Sequence, residues 1–289
     1  MLSERAPAKV NLSLHVVGRR ADGYHLLESL VVFASCHDTL HLAPGLPLAI
    51  TVSGPRAGAV GPDVDNLVIK AARNLVARVD GLTLGHFSLE KHLPAAAGLG
   101  GGSSDAAAAL RLLARLNHLA LDDPRLIEAA RATGADVPVC LDPRPAMMRG
   151  IGDRIERLDN LPPLAGILVN PGKPVETRAV FSALGLAPGS DRSGEAHPDL
   201  TSIADASDLI ARLKLARNDL EPPACRIEPA IGEVIAALQA TGALLVRMSG
   251  SGASVVALYE TSAAAHQASQ HVCQPHADWW VEVVKLASG

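Results

Sequence analysis

The chain has 289 residues, of which 48% are apolar, and it carries a formal net charge of −4 at pH 7. This length suits one large domain or two ordinary ones, and the apolar fraction allows a substantial core. The mildly acidic balance, without a run of Lys and Arg, argues against nucleic acid as a partner. No stretch has the length and apolar character of a signal core or a membrane span. We therefore expect a soluble cytoplasmic protein that binds neither nucleic acid nor a membrane, with its four scattered cysteines reduced.

The first strong pattern is the alternation of apolar and polar residues over Ala8–Val17. A period of two predicts a strand, and it places Lys9 and Asn11 on the same face. A solvated strand face is the alternative explanation for these two polar residues. After a charged turn over residues 18–23, further short strands are predicted at Leu30–Phe33, Thr39–Leu42 and Leu48–Val52.

A helix is predicted after Asp63–Asn66, with Asp65 or a neighbour as its N-cap and Gly81 as its end. Its buried side is expected to consist of Val68, Ala72, Leu75, Val76 and Val79. The next strand, Leu82–Lys91, leads directly into a glycine-rich loop. A strand, a glycine loop and a helix in this order are what a phosphate site requires.

The segment Leu93–Leu116 contains four glycines, two serines and then an alanine-rich helical pattern. A helix that begins at Ser103 or Ser104 presents free amides and the positive end of its dipole to an anion, and Asp105 in its first turn suits that dipole. We interpret the loop as a phosphate cradle; a simple connector is the alternative. The loop is neither a Walker A motif, because no GK[ST] is present, nor a dinucleotide-binding GxGxxG. If it binds phosphate, a catalytic lysine has to come from elsewhere in the chain.

A second helix is predicted at Pro124–Thr133, capped by Asp123 and ended by Gly134. The proline that follows Val137 disfavours a helical conformation for that residue. Asp136 is therefore expected in a sharp loop that enters a strand. An aspartate in a turn is common, so this residue alone does not indicate a function.

The second half of the chain has the pattern of an αβ sandwich with antiparallel strands. A connector at Leu161–Pro163 precedes it, and Leu186–Pro198 is polar enough to be a mobile surface loop. The predicted elements are a strand at Ala165–Val169, a helix at Pro229–Thr241, strands at Ala243–Met248 and Ser254–Tyr259, a helix that includes Gln267–His271, and a strand at Val281–Leu286.

Three separated motifs together resemble the GHMP kinase superfamily, which includes galactokinase, homoserine kinase and mevalonate kinase. They are Pro7–Leu12 (PAKVNL), Pro94–Ala107 (PAAAGLGGGSSDAA) and Met248–Ser254 (MSGSGAS). Further segments narrow the likeness to the branch that acts on cytidine diphosphate-linked methylerythritol. These segments are Arg20–His25 (RADGYH), Gly134–Pro138 (GADVP), and Asn170–Gly172 followed by Thr177 and Phe181.

The resemblance implies ATP-dependent phosphorylation of the 2-hydroxyl of this acceptor, a step of non-mevalonate isoprenoid precursor biosynthesis. It also implies an α+β fold of two domains with the active site between them. Residues 1–160 would form the ATP-binding N-terminal domain, similar to domain 2 of ribosomal protein S5. Residues 161–289 would form a C-terminal domain that is a ferredoxin-like αβ sandwich.

The resemblance also implies roles for residues on the donor side of the reaction. Asp136 would take the hydroxyl proton, and Lys9 would stabilise the developing charge. ATP would bind together with Mg²⁺, for which Ser104 is a candidate ligand. The expected ATP-binding residues are Asn66, Lys91, Pro94, Ala95, Ala96, Ala97, Gly98, Leu99, Gly100, Gly101, Gly102, Ser103 and Ser104.

On the acceptor side, the resemblance implies that Tyr24 and Phe181 sandwich the cytosine ring and that His25 hydrogen-bonds its edge. The chain has only seven aromatic residues, two Trp, two Tyr and three Phe, so two at motif positions support the narrower likeness. Asn11 would hold the substrate. Backbone amides of a second glycine loop would approach the diphosphate, at Gly250, Ser251 and Gly252.

Two alternatives to this function remain open. One is another GHMP small-molecule kinase, of the homoserine or mevalonate type. The other is a non-catalytic metabolite-binding relative, although the presence of Lys9 and Asp136 argues against a loss of the chemistry. A monomer or weak homodimer is expected, with Trp279 and Trp280 packing on the last strand or in an oligomer contact.

Overall fold

The computed structural model describes residues 1–59, 66–192 and 194–287. The strands in these ranges are β1 (Leu2–Asn11), β2 (His15–Arg19), β3 (His25–Pro44), β4 (Ala49–Ser53), β5 (Gly85–Glu90), β6 (Ala146–Gly150), β7 (Arg154–Arg157), β8 (Leu164–Asn170), β9 (Leu245–Met248), β10 (Val255–Tyr259) and β11 (Trp280–Leu286). The α-helices are α1 (Leu67–Val76), α2 (Gly101–Leu116), α3 (Pro124–Thr133), α4 (Val137–Leu141), α5 (Thr177–Ser182), α6 (Ala206–Leu215), α7 (Glu221–Ile227), α8 (Ala230–Gln239) and α9 (Ser262–Cys273). None of these helices has the length and apolar character needed to cross a membrane.

By compactness the chain divides into two discontinuous units. Unit 1 comprises residues 1–9, 36–95 and 100–143, and unit 2 comprises residues 10–35, 96–99 and 144–289. The units are discontinuous because β1 and β3 each begin in one unit and end in the other. A division by compactness does not locate a boundary between family domains, so the boundary at residue 160 stays a prediction.

Unit 1 combines a short sheet with helices α1–α4. The Thr39–Pro44 part of β3 pairs antiparallel with β5, and β5 pairs parallel with β4. Helix α2 is central, because it packs against α1, α3 and α4. Its small alanine side chains allow these neighbours to approach closely, and Leu110, Leu112 and Leu113 are fully buried among them.

Unit 2 contains two groups of antiparallel strands. In one group β3 pairs with β2 and β6, and β6 pairs with β7. In the other group the strand order is β11, β8, β10, β9, and helices α8 and α9 pack on these strands. Buried valines of β8 and β10, such as Val169 and Val255, face a core that includes Ile231 and Val234 of α8. The predicted antiparallel αβ arrangement of the second half is therefore confirmed.

Three predicted strands near the N-terminus are present, but they begin and end at other residues than predicted. The predicted strand Ala8–Val17 is divided into β1 and β2, because the Leu14 amide bonds to a carbonyl of the segment that precedes α7. The predicted strands Leu30–Phe33 and Thr39–Leu42 are parts of the single continuous strand β3. The polar residues between them do not end the strand, since Asp38 is fully buried and paired with a lysine.

The N-cap of the first helix is a neighbour of Asp65, as predicted, whereas the end of that helix and the start of the next one differ from the prediction. Asp65 lies outside the described residues, and Asn66 is the N-cap of α1, accepting a hydrogen bond from the amide two residues later. Helix α1 ends at Val76, which is 42% exposed rather than buried. Helix α2 begins at Gly101, before the two serines that were expected to cap it.

The segment after α3 corrects the expected position of a site residue. Helix α3 itself is confirmed, with the Asp123 side chain as its N-cap and Gly134 at its C-cap. Asp136, however, precedes the short helix α4 rather than a strand. A proline fits the first turn of a helix, where its missing amide has no intrahelical partner to lose, so Pro138 begins a helix here instead of preventing one.

The predicted loop Leu186–Pro198 has no helix in its described residues but is attached to β2. The Gly189 amide bonds to the Arg19 carbonyl, and the Arg192 amide bonds to the Val17 carbonyl. Among the α-helices and strands of the described residues, β6, β7, α5, α6 and α7 were not predicted.

Candidate active site

In unit 1 the N-terminus of α2 has the geometry of an anion site. Gly100, the N-cap, has a φ of 60°, a left-handed conformation that glycine adopts without steric cost. A Cβ at this position would lie 3.0 Å from Lys9 Cε, so the glycine also leaves room for the lysine side chain. The amides of residues 101–103 have no carbonyl partner within the helix, and the Ser104 amide is the first to bond back, to the Gly100 carbonyl at 2.8 Å. Helix N-termini of this kind bind phosphate groups.

Next to this helix terminus lies an ion pair between Lys9 and Asp136. The Lys9 Nζ is 3.1 Å from Asp136 Oδ2, and the side chains are 6% and 40% exposed respectively. Strand β1 supplies the lysine, and the residue before α4 supplies the aspartate. A half-exposed carboxylate held by an ammonium group can accept a proton from a bound hydroxyl, while the ammonium stabilises negative charge nearby.

Lys91 lies in a buried triad with two carboxylates. Its Nζ donates to Asp38 Oδ2 at 2.5 Å and to Asp105 Oδ2 at 2.7 Å. Asp38 also accepts the amides of His92 and Leu93. The Lys91 ammonium is therefore already paired on two sides, and its predicted contact with ATP stays a prediction.

Burial and the neighbouring charges have opposite effects on the pKa values of Lys91 and Asp105 in this triad. Burial acts to lower the pKa of Lys91, but the carboxylates of Asp105 and Asp38 outweigh it and raise that pKa. Burial raises the pKa of Asp105 to about 7, against the opposing effect of the Lys91 charge. Asp105 Oδ1 has no hydrogen-bond partner in the part of the chain that the structure describes. Asp105 therefore does not lie in the first turn of the helix, as predicted: α2 begins at Gly101, so Asp105 follows that turn, and it is buried.

Ser104 does not fit the expected role of a metal ligand. Its hydroxyl donates to the Pro7 carbonyl at 2.8 Å, and the residue has no exposed surface. Within residues 1–59, 66–192 and 194–287, no group of three His, Cys, Asp or Glu side chains could hold a metal ion. Mg²⁺ at this site would depend mainly on phosphate oxygens and water, which is common for this ion.

The other residues predicted to contact ATP differ in exposure. Asn66 is nearly buried, and its Oδ1 accepts the Val68 amide at 2.9 Å. In the loop before α2 and in the first turn of that helix, the exposed residues are Ala95, Ala96 and Gly102, the partly exposed ones are Gly98, Gly100, Gly101 and Ser103, and the buried ones are Pro94, Ala97 and Leu99.

In unit 2 the first part of the glycine loop is held by the second glycine loop. The Ser249 hydroxyl donates to the Gly98 carbonyl at 2.9 Å and accepts the Asn11 amide at 3.0 Å. The Ser254 amide donates to the Ala97 carbonyl at 3.1 Å. Gly98 has a φ of 74°, and a Cβ there would collide with the Ser249 carbonyl, so only glycine fits this close approach.

The residues predicted to approach the substrate diphosphate are partly used within their own loop. The Gly252 amide bonds to the Ser249 carbonyl at 3.1 Å, which closes the turn. The Ser251 hydroxyl lies 2.9 Å from the Thr177 hydroxyl. Gly250 has a φ of 59°, and its carbonyl accepts from the Asn218 side chain. Of the three amides predicted to bind the diphosphate, at Gly250, Ser251 and Gly252, the Gly252 amide is therefore already bonded within its own loop.

The predicted base-binding residues also lie in unit 2. The His25 and Phe181 rings are 4.8 Å apart and tilted by 33°. His25 Nε2 is buried and has no hydrogen-bond partner among the residues described, and burial, followed by the Arg19 charge, lowers the pKa of this histidine. Tyr24 is 61% exposed. The ring contact observed for Phe181 is thus with His25 and not with Tyr24.

Asn11 lies in a polar network of unit 2. Its Nδ2 donates to the Ser29 hydroxyl at 2.8 Å, and that hydroxyl donates to the Ser13 carbonyl at 2.6 Å. Asn11 is nearly buried, as is Lys9 two residues earlier on β1, so the strand face that carries both is not a solvated one.

Several of these residues could not be identified by sequence reasoning. Asp38, Ser249 and Ser29 hold predicted site residues in place, but each acts on a partner distant in sequence. The only available signal was the MSGSGAS motif, and among these three residues it applies to Ser249 alone.

Two family models match this chain. "GHMP kinases N terminal domain" matches residues 66–143, and "GHMP kinases C terminal" matches residues 196–278. The chain is 56% identical to the 4-diphosphocytidyl-2-C-methyl-D-erythritol kinase of Methylorubrum extorquens (strain PA1), over 99% of each chain. It is 54% identical to the protein of the same name from Rhodopseudomonas palustris (strain ATCC BAA-98 / CGA009), over 99% of this chain and 97% of that one.

Solved structures agree with these relatives. A crystal structure of 4-(cytidine 5'-diphospho)-2C-methyl-D-erythritol kinase matches with a TM-score of 0.79 and 34% identity, over 100% of both chains. The homoserine kinase of Cytophaga hutchinsonii ATCC 33406 matches with a TM-score of 0.67 and 20% identity, over 98% of this chain and 95% of that one, which shows a shared fold. The chain has the α+β fold of the GHMP kinases, and within them it belongs to the 4-diphosphocytidyl-2-C-methyl-D-erythritol kinase family.

Proposed function

We propose that this protein transfers the γ-phosphate of ATP to the 2-hydroxyl of 4-diphosphocytidyl-2-C-methyl-D-erythritol, in the non-mevalonate route to isoprenoid precursors. The products are the 2-phosphate of this acceptor and ADP. The observation that carries the proposal is the Lys9–Asp136 ion pair beside the N-cap of α2. The names of the relatives, at 56% and 54% identity, supply the acceptor.

The ion pair has the chemistry that this transfer requires. Asp136 accepts the proton of the acceptor hydroxyl as its oxygen bonds to the γ-phosphorus, and the bond from that phosphorus to the ADP oxygen breaks. Lys9 stabilises the negative charge that develops on the phosphoryl and hydroxyl oxygens. Since the Lys9 side chain is 6% exposed, little water screens its charge.

The N-terminus of α2 is proposed to bind the ATP phosphates. The amides of residues 101–103 and the positive end of the helix dipole would face them. Mg²⁺, when bound, neutralises phosphate charge, and we propose that it arrives with ATP. Phosphate oxygens and water are proposed to hold it, because the Asp136 carboxylate is paired with Lys9 and is needed for the hydroxyl proton.

His25 is the residue proposed to select the cytosine. Its buried Nε2 lacks a hydrogen-bond partner within the described chain, which costs free energy. A ligand that forms a hydrogen bond with this atom removes that cost. Because burial keeps the imidazole neutral, one ring nitrogen donates and the other accepts. Tyr24 and Phe181 would add stacking area, and Asn11 would bind the polyol part of the acceptor.

The proposal is tested by comparing acceptors in an ADP-release assay. We expect kcat/KM for the cytidyl acceptor to exceed that for homoserine or mevalonate by at least about 10²-fold, since a site with buried polar atoms discriminates strongly against ligands that leave them unpaired. Equal or better turnover of homoserine or mevalonate would assign another GHMP kinase activity. ATP binding without ADP release for any acceptor would identify a non-catalytic relative.

We also infer that the protein acts in the cytoplasm, as a monomer or weak homodimer, without nucleic acid or membrane partners. The net charge of −4 and the use of ATP support this inference. Light scattering at several protein concentrations measures the oligomeric state directly.

A further inference from the structure

The side chain of His197 is connected to Asn11 through hydrogen bonds of Ser13 and Ser29, with the Ser13 backbone linking its bonded hydroxyl to its bonded carbonyl. His197 Nε2 lies 2.6 Å from the Ser13 hydroxyl, which also accepts the Leu30 amide at 2.9 Å. The Ser13 carbonyl accepts from the Ser29 hydroxyl at 2.6 Å, and that hydroxyl accepts from Asn11 Nδ2 at 2.8 Å. Ser13 and Ser29 are buried, so water does not substitute readily for any of these bonds.

The neighbouring groups determine the direction of the bond between His197 and Ser13. His197 Nδ1 lies 2.8 Å from the Pro198 carbonyl, which can only accept, so the ring proton is on Nδ1. Burial lowers the pKa of His197, although the nearby Glu28 carboxylate opposes this shift. The lowered pKa keeps the imidazole ring neutral. Nε2 is therefore an acceptor, and the Ser13 hydroxyl donates to it.

The segment around Ser13 needs this support because strand pairing changes there. The Leu12 amide bonds to the Leu30 carbonyl, whereas the Leu14 amide bonds to the Arg217 carbonyl. Between them the Ser13 hydroxyl satisfies the Leu30 amide. If the serine proton lost its acceptor, the Ser13 side chain would have to rotate about its Cα–Cβ bond to reach another one, which would move Oγ away from the Leu30 amide.

We propose that His197 is a positioning residue for acceptor binding, which holds Asn11 in its binding orientation through Ser13 and Ser29. The proposal rests on the proposed function, because it takes Asn11 as an acceptor contact. It also gives the Leu186–Pro198 segment a role, since this segment brings His197 to the site. His15 supports the arrangement, with its ring 4.7 Å from that of His197.

Two substitutions of His197 separate positioning from packing. His197→Gln places an amide oxygen where Nε2 is, so the acceptor for the Ser13 hydroxyl is kept. His197→Asn places its amide near Nδ1 and leaves that hydroxyl without its acceptor. The affinity for 4-diphosphocytidyl-2-C-methyl-D-erythritol, measured by calorimetry, is expected to fall about three- to tenfold for His197→Asn and less than about twofold for His197→Gln.

Further measurements test whether the effect is limited to acceptor binding and to the residues of this network. The affinity for a non-hydrolysable ATP analogue should stay unchanged in both variants, because the network leads to the acceptor side only. Ser13→Ala combined with His197→Asn should weaken acceptor binding no more than the stronger single variant, as expected for residues in one network. Ser190→Ala in the same segment is the matched control, because the Ser190 hydroxyl bonds only within its own turn, to the Ala187 carbonyl, and this variant should behave as wild type.

Some outcomes would contradict the role of His197, and a different one would contradict the proposed function. Equal acceptor affinity of wild type and His197→Asn overturns the inference, as does a parallel loss of acceptor and ATP affinity in both His197 variants. Asn11→Ala distinguishes the two proposals: unchanged acceptor affinity in that variant removes the role of Asn11 and the inference with it. Wild-type protein that does not bind the cytidyl acceptor contradicts the proposed function itself.

Discussion

Acidification should destabilise this protein in part through His15, a fully buried histidine of β2. His15 Nε2 accepts the Arg217 amide at 3.0 Å, so the ring has to be neutral for this bond to form. His15 Nδ1 is buried and has no hydrogen-bond partner in the described part of the chain. Burial, followed by the Arg217 charge, lowers the pKa of His15 from 6.5 to about 4.

The sign and size of the effect follow from this shift. Between pH 6.5 and about 4 the unfolded chain binds a proton at His15 that the folded chain does not, so the free energy of unfolding falls as the pH falls. The shift of about 2.5 units, at 1.36 kcal/mol per unit, corresponds to about 3 kcal/mol. This contribution is fully present above pH 6.5 and is lost on the way to pH 4.

Urea unfolding at a series of pH values measures the effect against a variant. His15→Gln keeps a side-chain oxygen for the Arg217 amide but does not titrate, so its stability should depend less on pH, by about 3 kcal/mol between pH 7 and pH 4. Carboxylates contribute equally to both proteins and cancel in the comparison. His271→Gln, a substitution of an exposed histidine, should follow wild type. If the free energy of unfolding of wild type and His15→Gln depends on pH in the same way, the lowered pKa of His15 does not contribute to stability.

Three further substitutions test other parts of the structure. Gly100→Ala should cost about 1–2 kcal/mol of unfolding free energy for its left-handed φ, and it should lower kcat by up to about 10²-fold because the new methyl group displaces Lys9, for which we propose a catalytic role. Lys91→Met leaves two buried carboxylates without their cation and should cost about 3–5 kcal/mol in urea unfolding. Tyr24→Ala and Phe181→Ala should each raise the KM for the cytidyl acceptor about tenfold, with the KM for ATP unchanged.

Each of these predictions has a control or a contradicting result. Gly45→Ala carries a similar φ cost, 78° in the native protein, without touching another side chain, so it should lower stability and leave kcat unchanged. If Lys91→Met is as stable as wild type, the triad does not hold ionised carboxylates. An unchanged acceptor KM in both aromatic variants would remove stacking from the account of base binding.

Local signals in the sequence predicted the elements whose ends are set by neighbouring residues. Helix α3 is capped by Asp123, begins with a proline and stops at Gly134, and each of these effects acts within one turn. Strands β9 and β10 follow from their apolar runs around a glycine loop. The same reasoning failed for Pro138, because a proline before a strand and a proline in the first turn of a helix give the same local pattern.

Contacts between distant residues set the parts that could not be predicted. Asp38 lies in the middle of β3 and is stable there only because Lys91, 53 residues away, is its partner. His197 lies in a polar segment that looked mobile, yet it bonds to Ser13, 184 residues away. Motif resemblance predicted which residues form the candidate site, including Lys9 and Asp136. It did not predict the buried groups that hold them in position.

The central claim is that Asp136 accepts the proton of the acceptor hydroxyl, and the most direct test is the turnover of Asp136→Asn with ATP and 4-diphosphocytidyl-2-C-methyl-D-erythritol. Asparagine keeps the shape of the side chain but cannot take the proton. We expect a kcat at least about 10²-fold below wild type, with the affinities for both substrates within about threefold. A kcat close to that of wild type would contradict it.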